Sequence, residues 1–297
     1  MLAILLCIIA NVGIFLSFRL FQYYRVNTFH AIVVNYITCV VTGVLFTGWP
    51  NVVDVVRGDT DWIPWAVVLG GIFIATFYLM ARTTQVFSMT VASISTKMSL
   101  IIPVLFSLLI LGTRSRDYNL LNYLGMAAAV VAIVLSSVRK KSQDNLPSNV
   151  GALWYLPLLV FLLGGLIDTT LNAVNQYYLS EPEEKVFPIF IFGTAGIIGF
   201  VIVLIRGSAF SRHSITGGIF LGIVNYFSVY FLLMSLRVFK NDGAYVYPMI
   251  NVGIILISAL ISALFFGEKF TYLKMAGLLL AIAAILLLSH QELIAFF

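Results

Sequence analysis

The sequence predicts an all-α integral membrane protein whose ten transmembrane helices form two inverted five-helix repeats. Three observations predict it. The chain of 297 residues is 61% hydrophobic and only 10% charged, with a mean hydropathy of +1.04, whereas soluble domains carry about 25% charged residues. Ten stretches reach the roughly 20 mostly apolar residues that a helix needs to cross a bilayer. The tripeptide Gln-Tyr-Tyr closes two of them, at 22–24 and again at 176–178, which is 154 positions later.

Taken in order, the first stretch is 2–21. It lacks the basic flank and small-residue cleavage site of a signal peptide, so it is expected to be a retained span. Its Gln22–Tyr24 ending suits the headgroup level, where amphipathic Tyr rings are favoured. The spans 29–48 and 62–81 follow; Cys39 in the former, like Cys7 in the first, is expected to be a small buried hydrophobe. The fourth span, 90–112, contains Lys97 flanked by Ser93, Thr96 and Ser99, and the fifth, 120–138, is rich in Gly and Ala. The connection 139–149, "RKKSQDNLPSN", is the longest hydrophilic run and divides the chain into repeats 1–138 and 150–297. The second repeat offers spans 151–179, 187–206, 214–236, 244–266 and 272–289.

Comparing the halves strengthens the Gln-Tyr-Tyr echo. At a shift of 155, Arg82 meets Arg237, Val91 meets Val246, Ser107 meets Ser262 and Gly112 meets Gly267. At a shift of 152, Gly125, Ala129 and Ala132 fall on Gly277, Ala281 and Ala284. These matched small faces predict that the fifth and tenth spans pack together closely. An odd number of spans per repeat means that the halves enter the membrane from opposite sides. Their relation is then a pseudo-two-fold axis in the membrane plane, the layout of secondary transporters with a midplane site.

The segment "ALFFGEKFTYLKMAGLLLAIAAILLL" (263–288) resembles the end of an EamA domain of the drug/metabolite transporter superfamily. Gly267–Glu268 at the turn and Gly277 in the final helix carry the resemblance. The first half departs from it, because Gly112 is followed by Thr113 and a longer turn. The resemblance implies transport of amino acids, drugs, vitamins, sugars or nucleotide sugars without ATP, as an exporter or exchanger. The sequence contains no Walker A loop, no zinc-protease spacing among His30, His213 and His290, and no Gly-x-Ser-x-Gly elbow. No cofactor or metal is expected, and the chain is not expected to be an enzyme. A net charge of +5 scattered over helix ends leaves no nucleic-acid footprint.

The candidate substrate-binding residues are Asp168, Asn172, Asn175, Lys97, Asn225, Tyr247 and Asn251. A carboxylate deep in a span is costly unless paired, hydrated or protonated, so Asp168 reads as pathway-lining. Asn172 and Asn175 follow at i+4 and i+7 on the same face, with Gly164 beyond; interhelical glue is the competing reading. Lys97 competes with snorkelling to an interface. In the ninth span Tyr247, Asn251, Ser258 and Ser262 share one side, and Pro248 removes a backbone hydrogen bond. Asn225, Tyr226, Ser228 and Tyr230 add polar groups in the eighth. Glu268 precedes a helix N-terminus and reads as a structural cap.

The expected function is secondary transport of a small organic metabolite by alternating access, with a proton as the coupling ion through Asp168. The alternatives are a flippase or carrier for an amphiphilic or lipid-linked compound, and an intramembrane enzyme whose acid–base pair would be Asp168 with Lys97. The expected setting is a bacterial inner membrane, as monomer or homodimer. With a cytoplasmic N-terminus, six Lys and Arg face the cytoplasm and ten the other side, which favours both termini outside; the family resemblance favours both inside.

Overall fold

The structure is a computed structural model that describes residues 2–58, 60–102, 119–137, 153–238, 243–288 and 290. The connection 139–149 and the second half of the fourth predicted span lie outside the described residues. Every regular element among the described residues is helical: α1 (Leu2–Tyr23), α2 (Thr28–Thr47), α3 (Trp49–Arg57), α4 (Ile63–Val86), α5 (Met89–Lys97), α6 (Leu120–Ser137), α7 (Tyr155–Tyr177), α8 (Glu181–Ile205), α9 (Arg212–Val238), α10 (Gly243–Phe266) and α11 (Tyr272–Leu288). A 3₁₀ turn, Met98–Leu100, continues α5.

Seven of these helices are long and apolar enough to cross a membrane; α6 and α11 are shorter apolar helices. The chain is a multi-pass membrane protein. Its outer surface agrees: Leu45, Leu264, Phe265 and Ile205 are all strongly exposed, as befits side chains that face lipid. Polar side chains are instead gathered inside, where Asn35, Thr83, Ser93, Asn225 and Ser258 are buried. Hydroxyls in this setting satisfy themselves on their own helix. Thr76, Thr83 and Thr84 each donate to the carbonyl four residues back at 2.8–2.9 Å.

Several elements differ from the sequence expectation, among them α4, which runs on to Val86 rather than 81. The short helix α3 was not anticipated between the second and third spans. Pro50 in its first turn and Arg57 in its last suit a helix, but nine residues are too few to span. α8 starts at Glu181 rather than 187, because Glu183 reaches back to accept from the Ser180 amide at 2.5 Å. α7 starts at Tyr155 rather than 151. Both Gln-Tyr-Tyr motifs end their helices at the same residue, Tyr23 in α1 and Tyr177 in α7, with the rings exposed.

The packing is dominated by four sets of neighbours. α9 lies against α1 and α2, α8 lies against α2 and α4, α7 lies against α4 and α5, and α6 pairs with α11. The α6–α11 pair is the tightest, and small residues explain it. Ala129, Ala132, Ala281 and Ala284 are fully buried. A Cβ on Gly125 would stand 3.0 Å from Leu288 Cγ and 3.1 Å from the Ala284 carbonyl. Asn122 completes the seam by donating to the Leu288 carbonyl at 3.1 Å.

At one end of the bundle, where α5 begins and α10 ends, the helices are tied together by polar bonds. Glu268 accepts from Thr90 at 2.9 Å, from Ser262, and from Lys274 at 3.1 Å. The Glu268 and Lys274 side chains are only 7% and 13% exposed, so this is a part-buried ion pair joining the α10–α11 turn to α11, with Thr90 tying it to α5. Gln85 joins α4 to Thr28 of α2 at 2.8 Å, and the Asn27 amide donates to Ser214 at 3.2 Å. The Glu268 carboxylate therefore ties side chains of three elements together rather than capping α11, whose Lys274 amide bonds to Thr271 instead.

Candidate functional site

A cavity of about 120 Å³ lies in the middle of the bundle, walled by α1, α4, α5, α7 and α9. Three predicted residues line it: Lys97 from α5, Asp168 from α7 and Asn225 from α9. The remaining wall is mixed. Asn11, Thr76, Thr96 and Ser228 supply polar groups, and Ile14, Phe15, Phe73, Phe77, Ile167 and Leu171 supply apolar ones.

The local sequence explains how α5 presents its lysine. The α-helix stops at Lys97 and tightens into the 3₁₀ turn, so the Ile101 amide bonds to the Met98 carbonyl rather than to that of Lys97. The Lys97 carbonyl, at the N-cap of that turn, is the acceptor of its first i→i+3 bond. Asn251 of α10 adds a second donor, with Nδ2 at 3.3 Å. A carbonyl has two lone pairs and can take both. Asn251 is buried and is not among the cavity's lining residues; its bond positions the lysine's backbone.

The ammonium of Lys97 donates to Asn11 Oδ1 at 3.2 Å. Asn11 is itself oriented by donating from Nδ2 to the Cys7 carbonyl at 2.9 Å. Asp168 accepts from Ser99 at 2.9 Å. Glycines make that approach possible. A Cβ on Gly164 would sit 3.3 Å from Ser99, and one on Gly165 would collide with Ile102 at 2.3 Å, so α7 can lie this close to α5 only where side chains are missing. Ser99 also lies 2.5 Å from the Thr96 carbonyl. A hydroxyl has one proton, so Ser99 can serve that carbonyl or Asp168, not both. With the Thr96 bond made, the contact to Asp168 is satisfied when the carboxyl carries the proton and donates.

Lys97 and Asp168 influence each other electrostatically, yet no ion pair within 4 Å joins them among the described residues. The two charges face one space from different walls. Asn225 donates to Asn35 at 3.2 Å, bracing α9 against α2. Tyr247 packs at the edge of the main core cluster within electrostatic reach of Asp168. Asn175 lies further along α7 with its Oδ1 buried and without a hydrogen-bond partner in the described structure. The side chain of Asn172 lies outside the described residues. Asn11 and Thr76 were missed by the sequence reading; the signal for Asn11 is a lone amide in the centre of the first apolar run. A larger pocket of about 410 Å³ lies at the ends of α2, α3, α8 and α9, with Asp54 and Lys185 on its wall. Charged residues are ordinary near the ends of spans, so the smaller cavity at mid-helix depth is the better candidate site.

No family model matches the chain. An uncharacterised protein of Haemophilus influenzae is 20% identical over 229 residues, which covers 77% of this chain and 76% of its own length. A solved crystal structure superposes with a TM-score of 0.56 at 10% identity, covering 98% of this chain and 97% of its own. That likeness is one of fold alone.

Proposed function

We propose that the protein is a secondary transporter of a small organic metabolite, built as ten spans in two inverted repeats like the EamA transporters of the drug/metabolite superfamily. The observation that carries the proposal is the midplane cavity holding Lys97 and Asp168, walled by helices of both halves. Intramembrane ionisable residues around such a space belong to a transport pathway far more often than to a structural seam.

The packing supports the repeat. Matching α1 with α7, α2 with α8, α4 with α9, α5 with α10 and α6 with α11 turns the most extensive contacts into others that are present. α1 packs on α9 as α7 packs on α4, α2 on α9 as α8 on α4, and α1 on α10 as α7 on α5. The pairs α2–α8, α5–α10 and α6–α11 map onto themselves, as contacts at a two-fold axis must. The Asn251–Lys97 bond joins residues 154 apart, almost the repeat shift itself, which brings the cavity close to that axis. Transporters built from inverted repeats hold their site at the interface of the repeats.

The site supports coupling to a proton, because the single hydroxyl of Ser99 stands between Asp168 and the Thr96 carbonyl. The experiment is efflux from proteoliposomes preloaded with a metabolite extract, with and without an imposed proton gradient. Selective loss of one or a few small metabolites from protein-containing vesicles is expected. Retention of every metabolite under both conditions would remove the transport reading.

A further inference from the structure

We infer that the junction of the α1–α2 and α8–α9 turns binds one anionic phospholipid, with its phosphate on Arg25, Arg206 and Arg212 and an acyl chain along α2. The two turns are far apart in the sequence and meet through polar and ring contacts. The Asn27 amide donates to Ser214 at 3.2 Å, His30 Nε2 lies 2.8 Å from Ser208 Oγ, and the His30 and Phe210 rings are 4.9 Å apart. These contacts gather three arginines. Arg25 stands two residues before Asn27, and Arg212 two before Ser214. The Arg206 guanidinium lies over the Phe29 ring, 5.3 Å from its centroid. Arg25 closes α1 in the left-handed region (φ 51°), a position usually given to glycine.

No acid answers this charge. All three side chains are exposed, and none makes a hydrogen bond or ion pair among the described residues. The one carboxylate at this end of the bundle, among the described residues, is Glu268, and it already serves Lys274, Thr90 and Ser262. Free guanidinium forks match phosphate oxygens in geometry as well as charge. The ends of spans place them at the headgroup level.

The surface beneath the arginines selects a lipid over a free anion. α2 packs between α8 and α9, which scarcely touch each other. Glycines draw both neighbours in: a Cβ on Gly199 of α8 would stand 2.7 Å from Val33, and one on Gly218 of α9 would stand 2.5 Å from Val34. Ile37 and Val41 face outward between these two contacts, 46% and 52% exposed. Exposed Phe200 and Leu204 of α8 and exposed Ile215 and Ile219 of α9 border the strip. The result is an apolar furrow floored by α2. Ile37 and Val41 lie about 12 and 18 Å along α2 from Phe29, close to the roughly 15 Å depth of one leaflet's hydrocarbon. A phosphate above such a furrow is the pattern of a phospholipid.

The test is lipid binding to the full-length, delipidated protein in detergent, read by native mass spectrometry and by Tm. Phosphatidylglycerol is compared with phosphatidylcholine of the same acyl chains. We expect phosphatidylglycerol to bind at least about fivefold more tightly, the gain that a single arginine near an anionic headgroup supplies, and to raise Tm more. Glycerol 3-phosphate, which carries the phosphate without chains, should leave Tm unchanged at the same concentration. Arg206→Gln with Arg212→Gln should bring phosphatidylglycerol down to the level of phosphatidylcholine. Lys269→Gln, which removes an exposed cation on the α10–α11 turn at the same end, should keep the preference within about twofold. Equal binding of the two lipids to wild-type protein overturns the inference without recourse to the variants. A Tm rise with glycerol 3-phosphate equal to that with phosphatidylglycerol overturns it in favour of a free-anion site. Equal loss of preference in Lys269→Gln and in the double arginine variant overturns it in favour of diffuse attraction to the whole cationic end.

Discussion

Asp168 and Asn251 both hold polar atoms in the membrane, and they fail differently when altered. Asp168→Asn keeps the shape of the side chain and an oxygen acceptor for Ser99, but it can no longer gain or lose a proton. We predict normal folded yield and no gradient-driven flux, measured in proteoliposomes with an imposed pH gradient. Wild-type flux with unchanged pH dependence in Asp168→Asn would sink the assignment of the site. Asn251→Ala removes the side-chain donor to the Lys97 carbonyl, a hydrogen bond worth about 0.5–1.5 kcal/mol. The expected outcome is a lower Tm together with weaker substrate binding, because the backbone that aims the ammonium is released. A variant with reduced Tm and unchanged binding would confine Asn251 to stability.

Between helices, small side chains and one part-buried ion pair set the contacts. Ala129→Leu and Ala281→Leu each drive added volume into the α6–α11 seam, and overpacking costs about 1–3 kcal/mol per site. Their folded yield after detergent extraction should fall, and the double variant should be worse than either. Unchanged yield and activity of the double variant would count against the seam as a stability element. Lys274→Met leaves the Glu268 carboxylate buried beside Thr90 and Ser262 without its cation. The carboxylate loses its cation in a part-buried setting, so a lower Tm is expected. Glu268→Gln with Lys274→Met together should recover part of it, and the absence of any recovery would show that the carboxylate is not the source of the loss.

Across the whole molecule, the five-plus-five scheme makes a topological statement. Under that proposed scheme an odd number of spans would separate each terminus from the 139–149 connection, which would then lie on the opposite side of the membrane from both termini. Single cysteines at Ser142, near residue 2 and near residue 295, placed in a Cys7→Ala, Cys39→Ala background, should label accordingly with an impermeant maleimide. Labelling of all three from one side would break the scheme. The same experiment decides between the charge distribution, which favours external termini, and the family resemblance, which favours internal ones.

The sequence by itself determined that this chain is helical and lies in a membrane, and where most helices start and stop. Those properties are local: in hydrocarbon every backbone amide must be satisfied within its own segment, so apolar runs of spanning length leave little choice. It also pointed to Asp168 and Lys97, because an ionisable group in a span is costly wherever its partners are. The tertiary structure decided which polar residues share a space. Lys97 meets Asn11 across 86 residues and Asp168 meets Ser99 across 69, and neither pairing has a periodic signature. It gave Asn251 a backbone carbonyl to serve rather than a place on the cavity wall, because the approach of α10 to the end of α5 is not visible in side-chain pattern. Association of helices in lipid depends on close fit and hydrogen bonding rather than on hydrophobicity, and fit is a property of two surfaces that no single run of residues contains.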